Sequence, residues 1–138
     1  MPKRRLLFTM LCAALAGRAS AGLAQAKVSI REAMARAFEM RRRAEAAGDQ
    51  PYGAVVVKDG VIIAESPSRV VTAANVDAHA EREAMRLARE RLGTPDLAGC
   101  LLVSSSRPCG LCEKAAAAAR IARMIHGESL TDAGPPRG

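Results

Sequence analysis

The fold of this chain is constrained most by two short apolar runs that are separated by an Asp-Gly turn. The runs are residues 54–57 and 61–64, and Lys58-Asp59-Gly60 lies between them. This arrangement is typical of a β-hairpin, because Asp and Gly accept the positive φ angles that a tight hairpin turn requires. The sequence therefore predicts an antiparallel pair of strands here.

Helical patterns lie on both sides of the predicted hairpin. Apolar residues at helical spacing predict a helix over 30–47, which begins at a capping-box pattern formed by Ser29 and Glu32. A second helix is expected over 78–92, with Asp77 as its N-cap residue. Both predicted helices end next to a glycine, as helices commonly do.

A further strand, helix and strand complete the pattern. We expect a strand over 100–104, a helix that runs from Pro108 to about Arg120, and a strand over 121–126. The order is thus helix, two strands, helix, strand, helix, strand. This order predicts a layered α/β domain whose later strands are parallel and are joined by helical crossovers.

Residues 1–26 have the three regions of an export signal. A basic stretch at 3–5 is followed by an apolar run over 6–17, and small residues at 19–21 and 24–26 each fit a cleavage site. The arginine pair in the basic stretch also resembles a twin-arginine signal. The alternatives are a membrane anchor and a start site assigned too far upstream.

These features predict three segments: an export signal peptide over 1–26, a domain over 27–128 and a short flexible tail over 129–138. We expect an exported protein, periplasmic or secreted, or a cytoplasmic one if the N-terminal segment is not a functional signal. The apolar run is too short to cross a bilayer, so no stable membrane span is expected.

The net charge of the chain is +7, which could indicate an acidic or nucleic-acid partner. However, four basic residues and no acidic ones lie in residues 1–26, so the net charge of the remainder is +3. The densest remaining cluster, Arg41-Arg42-Arg43, lies in the first predicted helix. We favour a solvated helical face for this cluster over a surface that faces RNA.

Two short motifs carry ligand chemistry, and each lies at the start of a predicted helix. His79 precedes Glu81 in the first motif, and Cys109 and Cys112 follow Pro108 in the second. The two cysteines are three positions apart, so they share one helical face and can bind one metal ion. One histidine nitrogen and two thiolates leave the fourth tetrahedral position for water, which is the pattern of catalytic rather than structural zinc.

Glu81 adds proton-transfer chemistry to this predicted site. Zinc lowers the pKa of a bound water to near neutrality and supplies hydroxide, which could attack a ring carbon that carries an amino group. Deamination also needs protons at the ring nitrogen and at the departing amine, and a carboxylate two residues after His79 can take a proton from the water and pass it on. Other candidates are weaker, because Cys100 lies in an apolar stretch, Cys12 lies in the N-terminal run, and no spacing rule places His126 at the site.

The combination of His-x-Glu with Pro-Cys-x-x-Cys is the signature of zinc deaminases. On this signature the sequence resembles the cytidine deaminase-like superfamily, and it looks closest to the guanine deaminase and tRNA-adenosine deaminase branch. The similarity covers about residues 30–128 and rests on the segments Pro51 to Gly60, His79 to Glu81, Leu92 to Thr94, Leu97 to Cys100, Pro108 to Cys112 and Ala119 to Ile121.

This resemblance implies a three-layer α/β/α sandwich with a central mixed sheet, one zinc ion per subunit, and a homodimer or larger assembly. By position, His79, Cys109 and Cys112 would be the zinc ligands. Glu81 would be the proton shuttle, and the backbone at Ala80 would face the substrate.

Two positions depart from the pattern of that branch, although both are candidates for substrate binding. Ser68 stands where a substrate-contacting Asn is usual, and Ser has a shorter reach and fewer hydrogen-bonding groups. Arg107 stands where Glu usually precedes Pro-Cys, and a fixed cation there would disfavour cationic substrates and could admit anionic ones. The chain also ends soon after the fourth predicted strand, where relatives have elements that close the pocket.

Three functions are compatible with the sequence. The first is zinc-dependent hydrolytic deamination of a free nucleobase or nucleoside of the guanine, adenine or cytosine type. The second is deamination of adenosine in tRNA, which the branch resemblance and the basic helix favour but an export signal opposes. The third is a zinc-binding module of the same fold without catalytic activity, which Ser68 and Arg107 favour and Glu81 opposes.

Overall fold

The computed structural model describes residues 26–138, so the predicted export signal lies outside the described residues except for Ala26. The helices are α1 (Ile30–Ala46), α2 (Ala80–Leu92) and α3 (Gly110–Ala118). The strands are β1 (Gly53–Lys58), β2 (Val61–Pro67), β3 (Cys100–Ser104), β4 (Arg123–His126) and β5 (Thr131–Gly134).

The described strands form one mixed sheet with the order β2-β1-β3-β4-β5. Strands β3 and β4 are parallel and are joined through α3, whereas the other neighbouring pairs are antiparallel. Helix α1 packs on one face of the sheet, against Val55 and Val103. Helices α2 and α3 cover the other face, where Val56 and Leu102 lie. The structure therefore confirms the predicted three-layer α/β/α sandwich with a central mixed sheet.

Local sequence signals explain the first elements. Ser29 Oγ accepts a hydrogen bond from the Glu32 backbone at 3.1 Å, and Glu32 Oε2 accepts one from the Ser29 backbone at 2.7 Å, so the predicted capping box begins α1. Asp59 and Gly60 have φ angles of 50° and 75°, as a tight hairpin turn requires. The predicted hairpin is therefore confirmed.

Two predictions were wrong in detail. Residues 129–138 were expected to be a flexible tail, but residues 131–134 form β5, which pairs with β4. The backbone groups of β5 form hydrogen bonds with the otherwise unpaired edge of β4. Asp77 was expected to cap α2, but the N-cap residue is His79 and the Asp77 side chain pairs with Arg82 at 2.9 Å. Within residues 26–138, every helix is too short or too polar to span a bilayer.

Gly53 lies where β1 passes close to α1, and it offers a first test of the packing. A Cβ atom added there would be 2.7 Å from the Cβ atom of Met40 and would collide with backbone atoms of Ala37 and Arg41. Because the colliding backbone atoms belong to a helix, α1 would have to shift. We expect Gly53→Ala to lower the free energy of unfolding by about 1–3 kcal/mol in urea denaturation.

The matched control for that substitution is Gly110→Ala, because a Cβ atom at Gly110 meets nothing within 4 Å. This variant should unfold at the same urea concentration as the wild type or a higher one, since alanine favours a helix. Equal destabilisation by both substitutions would contradict the steric explanation.

Candidate metal and catalytic site

The first residues of α2 and α3 converge, as the two motifs require. His79 is the N-cap residue of α2, and Cys109 is the N-cap residue of α3. The backbone N–H of Cys112 donates a hydrogen bond to Cys109 Sγ over 3.4 Å. Because the N-terminus of a helix carries partial positive charge, both helices favour anionic groups at this point.

The separations of the three ligand atoms fit a zinc ion. His79 Nδ1 lies 3.7 Å from Cys109 Sγ and 3.5 Å from Cys112 Sγ, and all three ligand atoms lie within 4.8 Å of one another. Zinc bonds of about 2.0–2.1 Å to nitrogen and about 2.3 Å to sulfur place tetrahedral N and S ligands about 3.5 Å apart. Among residues 26–138, no fourth His, Cys, Asp or Glu joins this group, and His126 is not part of it.

Glu81 lies beside the three candidate ligands without being one of them. Its Oε2 atom is 3.8 Å from Cys112 Sγ, and the residue is 6% exposed. Burial raises the pKa of the Glu81 carboxyl, and hydrogen bonds together with the nearby His79 oppose that effect. A carboxylate in this environment can both accept and return a proton.

The Cys112 thiol would need a nearby cation in order to ionise. Burial, and then the negative charge of Glu81, raise the pKa of this thiol. Two buried acidic groups in contact are disfavoured as anions unless a positive charge lies between them. Thiolate and imidazole ligands suit zinc in particular, so the donor set and the electrostatics agree.

A cavity of about 660 Å³ opens beside this group, and His79, Cys109 and Glu81 form part of its wall. The rest of the wall consists of Gln50, Pro51, Tyr52, Ser106 and Arg107. Tyr52 is the only tyrosine of the chain and is 42% exposed, so its ring is accessible. Two of the candidate ligands, His79 and Cys109, therefore face a space that can admit a small molecule.

The sequence match agrees with this geometry. Residues 27–128 match the family model of the cytidine and deoxycytidylate deaminase zinc-binding region. The chain belongs to this family. Its His/Cys/Cys group can bind a metal ion, in line with the zinc-binding region of the family.

Similar proteins lie in the branch that the sequence predicted. Guanine deaminase from Bacillus subtilis is 43% identical over 83 residues, which cover 60% of this chain and 53% of that protein. A tRNA-specific adenosine deaminase from Aquifex aeolicus is 39% identical over 99 residues, which cover 72% of this chain and 60% of that protein. The chain thus matches little more than half the length of these two relatives.

The structural comparison agrees with the sequence comparison. The crystal structure of guanine deaminase from Bacillus subtilis aligns with a TM-score of 0.70 and 37% identity, and the alignment covers 72% of this chain and 64% of that one. The predicted resemblance to this branch of the deaminase family is therefore confirmed.

The residues predicted to contact substrate occupy different environments. Arg107 lies on the cavity wall and is exposed. Ala80 is fully buried, and neither Ala80 nor Ser68 is among the residues that line the cavity. Ser68 is 2% exposed and donates its hydroxyl hydrogen bond to Asp49 Oδ1 at 3.0 Å. The structure thus gives Ser68 a partner within the protein.

The sequence did not predict that residues 50–52 line the cavity, or that the Asp49 carboxylate directly before them anchors this part of the wall by hydrogen bonds. Asp49 Oδ1 also accepts a hydrogen bond from the Gln50 backbone at 2.8 Å, and Oδ2 accepts bonds from the backbones of Val71 and Thr72 at 3.1 and 2.7 Å. Partial burial would raise the pKa of Asp49, but these hydrogen bonds outweigh it and hold the pKa well below its usual range. Asp49 therefore ties the start of the cavity wall to the loop before α2.

We expect Asp49→Ala to release that loop without removing the metal. The backbone N–H groups of Val71 and Thr72 would lose their acceptor, so their hydrogen exchange should accelerate by about tenfold or more. Ser68→Ala removes one of the four hydrogen bonds and should have a smaller effect at the same two amides. Exchange rates that are unchanged in Asp49→Ala would show that other contacts hold the loop.

Proposed function

We propose that this protein is a zinc-dependent hydrolytic deaminase of a nucleobase or nucleoside of the guanine, adenine or cytosine type. The observation that carries the proposal is the placement of Glu81. The carboxylate lies outside the His79, Cys109 and Cys112 group, yet it reaches the same cavity. A purely structural metal site does not need a carboxylate in that place.

The chemistry proposed for the site is the replacement of a ring amino group by oxygen, with water consumed and ammonia released. His79, Cys109 and Cys112 would hold a zinc ion, which would lower the pKa of water and so supply a nucleophile at neutral pH. The Glu81 carboxylate would take one proton from the attacking water and deliver it to the ring nitrogen. It would then take the second proton from the newly added hydroxyl and pass it to the departing amine, so that ammonia leaves and a ring carbonyl remains. Tyr52 offers a ring surface on which the base can stack.

The test of this proposal is ammonia release by the zinc-loaded protein, measured with guanine, adenine, cytosine and their nucleosides. Zinc content is determined on the same sample. We expect release from at least one of these compounds with about one zinc ion per chain. Full zinc occupancy without ammonia from any of them would rule out this substrate class.

A tRNA-adenosine deaminase is the second candidate function, because several relatives carry that name. The basic cluster of α1 adds little support, since its charges are already paired. Arg41 contacts Glu45, and Arg42 and Arg43 both contact Glu39. Inosine formation in a tRNA, in the absence of deamination of any free base or nucleoside, would establish this second function.

Export and assembly are proposals as well. We propose that residues 1–26 direct export and that the mature chain forms a homodimer. Mass spectrometry of the N-terminus after cell fractionation tests the first proposal, and an intact N-terminus in the cytoplasm would contradict it. Light scattering of the purified protein tests the second, and the mass of a single chain would contradict it.

A further inference from the structure

We propose that Arg107 selects substrates that carry an anionic group, so that a nucleoside monophosphate binds better than the corresponding nucleoside. This inference rests on the proposed function. It adds that the substrate of the same site carries a phosphate group in addition to the base and the sugar. It depends on which charges line the cavity and which of them already have partners.

Arg107 differs from most of the arginines among residues 26–138 in that it forms no ion pair there. Within residues 26–138, most arginines form an ion pair, but none of these pairs contains Arg107. Glu113, whose carboxyl is close enough to be affected by the Arg107 charge, already accepts hydrogen bonds from the Arg137 backbone and side chain. The Arg107 guanidinium is therefore free to bind a ligand.

The other residues of the cavity wall leave Arg107 as the group that can bind an anionic part of a ligand. Gln50, Tyr52 and Ser106 are uncharged polar residues. Among residues 26–138, the buried Glu81 is the only carboxylate on the wall. An arginine side chain presents several N–H groups in one plane and can donate two of them to a phosphate. Ser106 directly precedes Arg107 and provides a further donor on the same wall.

The size of the cavity is consistent with a substrate larger than a free base. Its volume of about 660 Å³ lies within the range of about 300–1,000 Å³ that is typical of pockets for ligands much larger than one base. A base placed beside Glu81 leaves room for a sugar and a phosphate. Arg107 and Glu81 share this wall, so one nucleotide could contact both residues.

The experiment measures the binding of three nucleosides and their monophosphates to the zinc-loaded protein: adenosine and AMP, guanosine and GMP, and cytidine and CMP. The titrations are done at low salt, because salt screens the interaction between exposed charges. At least one monophosphate should bind about tenfold more tightly than its nucleoside, which is the gain from one charge-assisted contact. Arg107→Gln should remove most of this preference, and Arg107→Glu should reverse it. Arg31 is an exposed arginine of α1 that forms no ion pair among residues 26–138, so Arg31→Gln serves as the control. This substitution should leave the preference for the monophosphate unchanged.

Three results would overturn the inference. The first is that no monophosphate binds the wild type more tightly than its nucleoside. The second is that the preference survives in Arg107→Glu. The third is that a short tRNA hairpin binds far more tightly than every monophosphate and also depends on Arg107, because the phosphate would then belong to a nucleic acid. Ammonia release from the same samples separates the two proposals: deamination without a phosphate preference overturns only this inference, whereas a preference without deamination contradicts the proposed function.

Discussion

Replacing Cys112 by serine should remove the metal and abolish ammonia release. The Sγ atom is fully buried and lies 3.5 Å from His79 Nδ1. A serine hydroxyl does not ionise near neutral pH and does not replace a thiolate as a zinc ligand. We expect the zinc content to fall from about one ion per chain to below about 0.1, as measured by atomic absorption, because a two-ligand site binds zinc weakly.

The matched control for this substitution is Cys100→Ser, because Cys100 is also fully buried but lies in the core next to Leu102. A buried hydroxyl without a partner should cost about 1–3 kcal/mol of stability, yet the zinc content should stay at the wild-type level. If Cys112→Ser retained stoichiometric zinc, the ligand assignment would be wrong. Loss of zinc in both variants would indicate general unfolding instead.

The candidate metal group could be predicted from the sequence because its residues lie in two short motifs. Each motif spans at most five positions and lies at the start of a helix, so spacing alone predicted that Cys109 and Cys112 could share one ion. Only the approach of α2 to α3 was needed to bring His79 to the two thiols. That approach follows from the crossovers, which place α2 and α3 on the same face of the sheet. The apolar pattern predicted the crossovers but not the order of the strands in the sheet.

The part of the cavity wall at residues 50–52 was not predictable in the same way, because its support depends on contacts between distant residues. Ser68 and Thr72 reach Asp49 across 19 and 23 positions of the chain. No periodicity signals that a carboxylate after α1 will accept hydrogen bonds from a loop before α2. The family resemblance pointed to Ser68 as a substrate contact, whereas its hydroxyl is bonded to Asp49.

Strand β5 was missed for a different reason. Only one of its residues, Thr131, is β-branched and none is aromatic, so the segment Thr-Asp-Ala-Gly gives too weak a signal to be recognised as a strand. The strand exists because the edge of β4 offers unpaired backbone groups, and the Asp132 carboxylate pairs with Arg123 of β4 at 2.9 Å. Backbone pairing outweighs the weak intrinsic preference of such a segment.

The second large effect is expected from Glu81→Gln, which should keep the metal and lose the reaction. Glutamine has nearly the same shape as glutamate, so the cavity and the three ligands should be unchanged. It cannot accept a proton from water and return it to the amine, and removal of a general acid–base group typically lowers kcat by about 10²–10⁴-fold. The measurement is kcat together with zinc content, and Glu81→Ala should give the same direction.

The control for this prediction is Glu83→Gln, on the same turn of α2. Glu83 contacts Arg86 and Arg69 and does not line the catalytic cavity, so its loss should change kcat by no more than about twofold.

The two outcomes that contradict the Glu81 role have different meanings. Loss of zinc in Glu81→Gln would make this carboxylate a ligand or a structural support, because the metal would then depend on it. Retention of zinc and of kcat would mean that the proton travels through another group, and Tyr52 and Ser106 are the hydroxyl-bearing residues of the cavity wall that could carry it.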